Sequence, residues 1–229
     1  MIGVAILGAG IGREHLAGYR ALPGRFDVRW LVDLDTDRAT EVAGPGGIAV
    51  SDSIADALAD PGVALVDVCL PPHLHVPVAV QALEAGKHVV VEKPVAPSLA
   101  DCDALVAAER AGAGRVFPVF QYRYGPGPAA LDALIAAGLA GRPQVAALET
   151  HWNRGADYYA VPWRGTWAGE RGGAVLGHAI HNHDLLCRYF GAPAAVQAHV
   201  ATRVNPIETE DCAAIALRFE SGALATSSV

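Results

Sequence analysis

Two stretches of this 229-residue chain carry side chains suited to moving protons and stabilising charge. The first is His178-Ala179-Ile180-His181-Asn182-His183-Asp184. On a helix, His178, His181 and Asp184 recur every three residues and share one face. An imidazole with an ordinary pKa near ~6.5 exchanges protons at neutral pH, so His181 is a candidate general acid and base. Asp184, one turn on, is placed to orient or charge-stabilise it. A satisfied, partly buried histidine and a metal ligand are the competing readings of the same cluster. His73 and His75 add an H-x-H after a strand, but zinc sites show more specific spacing with a carboxylate or thiolate in register, so no metal is expected. The second stretch is Glu92-Lys93-Pro94. Lys87 and Lys93 are the only lysines, all other basic side chains being arginine. A lysine kept in so arginine-biased a chain points to a compact head with an adjustable pKa, which a guanidinium supplies poorly.

The elements that must position these groups begin with Ile2-Gly3-Val4-Ala5-Ile6-Leu7, an apolar run with the length and branching of a buried parallel strand. Gly8, Gly10, Ile11 and Gly12 follow, one residue shorter than the usual G-x-G-x-x-G. Glycines there let the backbone turn tightly and approach a ligand closely, while the N–H groups opening the next helix can hold a pyrophosphate. The second strand-like run, Phe26 to Asp33, ends in an acid where a dinucleotide fingerprint needs one for the adenosine ribose. The Asp33 carboxylate would repel a 2′-phosphate, and no basic residue follows before Arg38, so NAD is favoured over NADP.

Further strand-like runs near 64–70, 88–92 and 115–120 alternate with helical patterns near 53–58, 76–85 and 99–111. That alternation predicts a doubly wound parallel sheet with helices on both faces. Ligands bind at the carboxyl edge of such a sheet, where Pro71-Pro72-His73 and Glu92-Lys93-Pro94 fall. After about Gln121 the pattern changes. A helix near 129–137, a β-prone stretch from 144 to 152, the aromatic segment Tyr158 to Trp167, and Gly172-Gly173 leading into a helix through Tyr189 precede strands near 194–203 and 212–219. Strands in succession predict an α+β unit with an open, mostly antiparallel sheet. The expected domains are therefore 1–121 and 122–229. The last run, Ala223 to Val229, reads as a strand whose partners are still to come.

Composition narrows the classes. Hydrophobic residues make up 52% of the chain, enough for a sizeable core, and the net charge of −7 with no basic stripe argues against nucleic acid or an anionic membrane as partner. No apolar run reaches the roughly 18 residues of a membrane span, and the N-terminus has no cleavable leader pattern. Cys69, Cys102, Cys187 and Cys212 lie far apart, with no C-x-x-C, as expected of reduced, buried thiols in a cytoplasmic protein.

Taken together, Gly8-Ala9-Gly10, Asp33, the block Ala82-Leu83-Glu84-Ala85-Gly86-Lys87-His88-Val89-Val90-Val91-Glu92-Lys93-Pro94, Gln121-Tyr122-Arg123, Trp163-Arg164 and Gly172-Gly173 before His181-x-x-Asp184 resemble the glucose–fructose oxidoreductase, inositol dehydrogenase and MocA family. The resemblance implies an N-terminal NAD-binding Rossmann domain, a C-terminal α+β domain whose open sheet forms a homo-oligomer interface, and hydride transfer between a nicotinamide and a secondary alcohol or ketone of a sugar, cyclitol or related polyol. It implies that Lys93 binds the reacting oxygen and that His181 takes or returns its proton. It puts Pro71, His73, His75, Glu92 and Lys93 around the cofactor, the His73–His75 loop running along its nicotinamide half, and makes Tyr122, Arg123, Trp163, Arg164, His178 and Asp184 the substrate-lining set. Three departures stand out. The glycine turn is short. Gly177 occupies the position where many polyol dehydrogenases of the family carry an acid. Family members also run on further, so the chain is expected to be C-terminally incomplete. A non-catalytic NAD-binding protein is the alternative reading, and a metal-dependent hydrolase using the histidines a distant one.

Overall fold

In β1 (Ile2–Leu7), Val4 and Ile6 join one core while Ala5 and Leu7 join another. A strand covered on both faces needs no polar alternation, hence the continuous apolar run. The computed structural model describes residues 1–229 and divides into two units, Met1–Val119 and Phe120–Val229.

In the first unit β1 leads to α1 (Gly12–Arg20), β2 (Phe26–Val32), α2 (Thr36–Ala43), β3 (Ala49–Ser51), α3 (Ile54–Ala59), β4 (Leu65–Val68), α4 (Pro72–Glu84), β5 (His88–Val91), α5 (Leu99–Ala111) and β6 (Val116–Pro118). The six strands form one parallel sheet in the order β3-β2-β1-β4-β5-β6. The order reverses between β1 and β4, and this switch point opens a crevice outside the carboxyl ends of the strands. Leu16 of α1 and Ala39 of α2 close the core on one face, while Ala57 of α3, Val78 and Leu83 of α4 and Leu105 of α5 close it on the other. Ile6, Leu7, Leu16 and Leu83 are almost wholly buried, each contributing about 1.5–3 kcal/mol. Helix starts are capped locally: Asp35 accepts from the Arg38 N–H, and Ser98 from that of Asp101. One expectation is corrected. The segment through His75 reads as loop, but α4 starts already at Pro72, whose fixed φ suits a first helical position, so His73 and His75 lie on its first turn.

The second unit contains a 3₁₀ turn (Gln121–Arg123), α6 (Pro126–Ala136), β7 (Val145–Glu149), α7 (Ala156–Tyr159), a π-helical turn (Val175–Ala179), α8 (Ile180–Phe190), β8 (Pro193–Ala201), β9 (Cys212–Phe219) and β10 (Leu224–Ser228). Its sheet runs β7-β10-β9-β8, with β10 parallel to β7 and the other pairs antiparallel. The final strand therefore has partners on both sides, correcting the expectation that it lacks them. Leu186 and Phe190 of α8 pack on Phe219, Ala225, Ala146 and Leu148, the inward set of an alternating pattern. The outward set, Ala147, Glu149, Ala214, Ala216 and Thr226, is exposed. No helix is long and apolar enough to cross a membrane. All four cysteines are free; Cys69 is buried, whereas Cys187 is exposed, unlike the buried thiols expected.

Candidate functional site

The three glycines after β1 do different jobs. Gly8 has φ +100°, and a Cβ there would meet the Cys69 carbonyl oxygen at 2.4 Å; a Cβ on Gly12 would meet Ile6 Cγ2 at 2.8 Å. Both glycines thus serve internal packing against β1 and β4. A Cβ on Gly10 would have no neighbour within 4 Å, so its missing side chain leaves open space above the turn. Helix α1 begins at Gly12 with no side-chain cap on its first turn, where the Arg13 N–H donates to the Gly10 carbonyl at 3.3 Å and the Glu14 N–H to that of Ile11 at 2.9 Å. Asp33 follows directly on β2. Its Oδ2 accepts from the Ala9 N–H at 2.7 Å, its Oδ1 from the Asp35 N–H at 2.9 Å, and Arg38 Nη2 donates to both oxygens at 2.7 and 2.8 Å. Burial pushes this carboxyl up, but the two N–H groups and Arg38 outweigh it and hold its pKa below the ordinary value. The open turn, the helix N-terminus without a side-chain cap and an ionised acid beside them fit a dinucleotide. The Arg38 pairing is not legible from spacing alone.

The second switch-point loop is braced from beneath. The His75 ring is buried, its Nδ1 2.7 Å from the Pro94 carbonyl oxygen and its Nε2 2.6 Å from that of Leu70. It ties the end of β4 to the segment after Lys93, and with both nitrogens so placed the H-x-H supplies no ligand pair for a metal. Glu92 is likewise turned inward. Its Oε1 lies 3.1 Å from His15 Nε2, and its Oε2 accepts the Lys93 N–H at 3.0 Å. His15 Nδ1 lies 2.8 Å from Asp67 Oδ2, which also accepts from the Tyr19 hydroxyl at 2.9 Å. Burial alone would lower the His15 pKa, but hydrogen bonds to Asp67, Cys69 and Glu92 and the charge of Asp67 raise it to about 12. This half-buried imidazolium between two carboxylates is absent from the sequence reading. Its signal is Asp67, a charge inside the otherwise apolar β4, which requires a partner. His15, Asp67 and Cys69 place their ligand atoms within 4.8 Å of one another.

In the second unit the 3₁₀ turn meets α8. The Tyr122 ring stacks on His181 with centroids 4.5 Å apart and planes 23° off parallel, and Phe120 meets the same imidazole edge-on at 6.5 Å. Arg123 clamps Asp184 bidentately, Nε to Oδ2 at 2.7 Å and Nη2 to Oδ1 at 2.5 Å. The Asp184 carboxylate, expected to orient His181, is thus engaged with Arg123. His181 is buried, 3% exposed. The continuous helix expected from the glycine pair is interrupted: His178 lies in the π-helical turn, so the three-residue repeat from His178 to Asp184 does not run along one regular helix. Such turns widen the backbone and recur at functional sites. The start of this turn is capped by Glu210, whose carboxylate accepts the N–H groups of Gly173 and Val175. His178 packs on Trp152 and Tyr158, with centroids 5.5 and 5.6 Å away. Arg164 lies over Tyr158 at 3.8 Å and over Trp163 at 4.4 Å. Gly177 leaves room for a side chain, and a Cβ there would lie 3.7 Å from Oε1 of the buried Glu170.

Residues 2–120 match a family described as "Oxidoreductase family, NAD-binding Rossmann fold", and residues 129–229 match "GFO/IDH/MocA C-terminal domain". An uncharacterized oxidoreductase of Synechocystis is 28% identical over 93% of this chain and 61% of its own length. Inositol 2-dehydrogenase 3 of Saccharopolyspora erythraea is 34% identical over 62% of this chain and 43% of its own. The crystal structure of the WlbA dehydrogenase from Bordetella pertussis, in complex with NADH and UDP-GlcNAcA, superposes with a TM-score of 0.94 at 30% identity, covering 100% of this chain and 66% of that one. The chain thus spans less than two thirds of the length of these relatives.

Proposed function

Since both of its units match, the chain belongs to the GFO/IDH/MocA oxidoreductase family, and we propose that it transfers a hydride between NAD and a secondary alcohol or ketone of a sugar, cyclitol or related polyol. The observation that carries this reading is the pairing of an open glycine turn with an ionised Asp33 beside it, on the switch point of a parallel sheet. When bound, NAD accepts the hydride from the alcohol carbon or returns it to the ketone. The rest is the work of the chain. The ammonium of Lys93 binds the reacting oxygen and stabilises its alkoxide character. His181 takes the hydroxyl proton in oxidation and gives it back in reduction. Tyr122, Arg123, Trp163, Arg164, His178 and Asp184 line the substrate, and Pro71, His73 on the first turn of α4 and Glu92 stand at the carboxyl edge of the sheet that holds the cofactor.

The relatives support this chemistry class: one is named for inositol oxidation, another was crystallised with NADH and a nucleotide sugar. Glu170 strengthens the catalytic reading over a merely cofactor-binding one, because it supplies a carboxylate next to position 177, where the sequence itself has glycine. The exposed outer face of the β7-β10-β9-β8 sheet is the surface on which a second copy docks. Four free thiols and the need for NAD favour a cytoplasmic setting.

The test is a titration of the protein with NADH and NADPH, following energy transfer from its four tryptophans, and then a screen of polyols and sugars for NAD reduction. Saturable binding with NADH the tighter, and turnover of at least one polyol, is expected. Binding without any turnover would replace this reading by the non-catalytic one, and no binding would end both.

A further inference from the structure

Within the second unit a cavity of about 330 Å³ is lined by Trp152, Arg154, Tyr159, His178, Asn205 and Asp211, among others, a volume within the range of small-molecule sites. Arg154 is its unusual member. The guanidinium lies over two rings, 5.2 Å from the Trp152 centroid and 4.7 Å from that of Tyr158, and its Nε is buried with no hydrogen-bond partner. Arg164, which also lies over Tyr158, has Glu170 at 3.8 Å. Arg154 forms no such pair.

The acid of the cavity does not compensate it. Asp211 Oδ1 accepts the Arg203 N–H at 2.7 Å, and its Oδ2 accepts those of Val204 and Asn205 at 2.9 and 2.8 Å, so the carboxylate is spent on shaping the loop between β8 and β9. His151 is joined to Ser228 and His178 is packed between rings. A buried guanidinium N–H left without an acceptor is costly, and the planar fork of arginine is matched by the paired oxygens of a carboxylate or phosphate. The aromatic rings fix the plane of that fork, so little ordering is required when an anion arrives. Trp152 and Tyr159 add an apolar wall of the kind that packs on the face of a sugar ring.

We propose that Arg154 is the anion anchor of this cavity and that the sugar taken there carries a carboxylate or phosphate group. The anion follows from the geometry around Arg154; that its carrier is a sugar rests on the dehydrogenase reading above.

The experiment compares D-glucuronate, glucose 1-phosphate and glucose as ligands of the NADH-loaded protein by calorimetry, with Trp152 fluorescence as a second signal. One anionic sugar should bind at least about tenfold more tightly than glucose, as a charged hydrogen-bond pair implies. Which of the two binds tighter assigns the carboxylate or the phosphate. Arg154→Gln should abolish the preference, Arg154→Lys should keep part of it, and the exposed Arg142→Gln should leave it intact. Arg154→Lys also carries the test should the Gln variant fail to fold. Equal affinities for all three ligands, or a preference that survives in Arg154→Gln, would overturn the anchor. Turnover of neutral polyols with no anion preference would overturn it while leaving the dehydrogenase reading standing. A preference that depends on Arg154, without turnover of any sugar, would do the reverse.

Discussion

His15 Nε2 lies 3.1 Å from Glu92 Oε1, and the other oxygen of that carboxylate holds the backbone N–H of Lys93. The first helix after the glycine turn is therefore linked through one half-buried charge to the loop that presents the proposed oxyanion-binding lysine. The same charge sets a pH dependence. Folded His15 keeps its proton up to about 12, whereas the unfolded chain releases it above ~6.5. Its contribution is complete below the unfolded value and is lost as pH rises through the window up to the folded one, so stability falls with rising pH. Urea midpoints measured from about pH 7 to about pH 7.7, below the range in which Cys69 and Tyr19 ionise in the unfolded chain, should decline with a slope of roughly one proton. His15→Gln should flatten that slope. An unchanged slope in the variant would show that the proton is not held there.

Gly8 and Gly10 separate folding from cofactor binding. Alanine at Gly8 faces both a φ of +100° and a carbonyl oxygen 2.4 Å away, a strain expected to cost about 2 kcal/mol or more. Alanine at Gly10 meets nothing within 4 Å, so stability should change by less than about 0.5 kcal/mol. Its methyl group nonetheless fills the space a pyrophosphate needs, and NADH affinity should drop by about tenfold or more. Urea unfolding and an NADH titration on both variants test the division. An unaffected NADH affinity in Gly10→Ala would remove the turn from the binding site.

The sheet of the first unit was legible because a βα alternation with apolar strands admits few arrangements, and ligand loops must then lie at the carboxyl edge. Asp33 was legible by its distance from the turn. Its pairing with Arg38 was not, since a helix-borne arginine five residues on could as well face solvent. Nor was the His15–Asp67–Glu92 network, which joins residues from α1, β4 and the segment just after β5 and exists only once the sheet is assembled. The capping of the π-helical turn escaped for another reason: the acceptor for the N–H groups of Gly173 and Val175 at its start is Glu210, far along the chain. Partners distant in sequence override local periodicity in each of these cases.

Arg38 changes what removing Asp33 should do. Asp33→Ser deletes the repulsion toward a 2′-phosphate and also releases a guanidinium now held at 2.7 and 2.8 Å. The NADPH-to-NADH ratio of dissociation constants should fall by at least about tenfold. Adding Arg38→Gln to that variant should reverse most of the gain for NADPH, because the arginine supplies the attraction. If the single variant keeps the parental ratio, Asp33 does not set the cofactor preference.

Lys93 and His181 carry the chemistry in the proposed mechanism, and their variants probe it differently. Arginine at Lys93 keeps the charge but replaces a compact ammonium by a wide planar group, misplacing the donor for the reacting oxygen. His181→Ala removes the proton carrier and leaves Tyr122 without the ring it stacks on at 4.5 Å. Tyr122→Leu is the control for that second effect, since it breaks the stack and keeps the imidazole. Lys93→Arg and His181→Ala should each lower turnover of a polyol by about a hundredfold or more, with NADH affinity nearly intact, while Tyr122→Leu should cost less than His181→Ala. Stopped-flow hydride transfer together with the NADH titration separates the chemical step from binding. Near-normal rates in both Lys93→Arg and His181→Ala would end the assignment of these two residues, since no group that binds the reacting oxygen or carries its proton is dispensable.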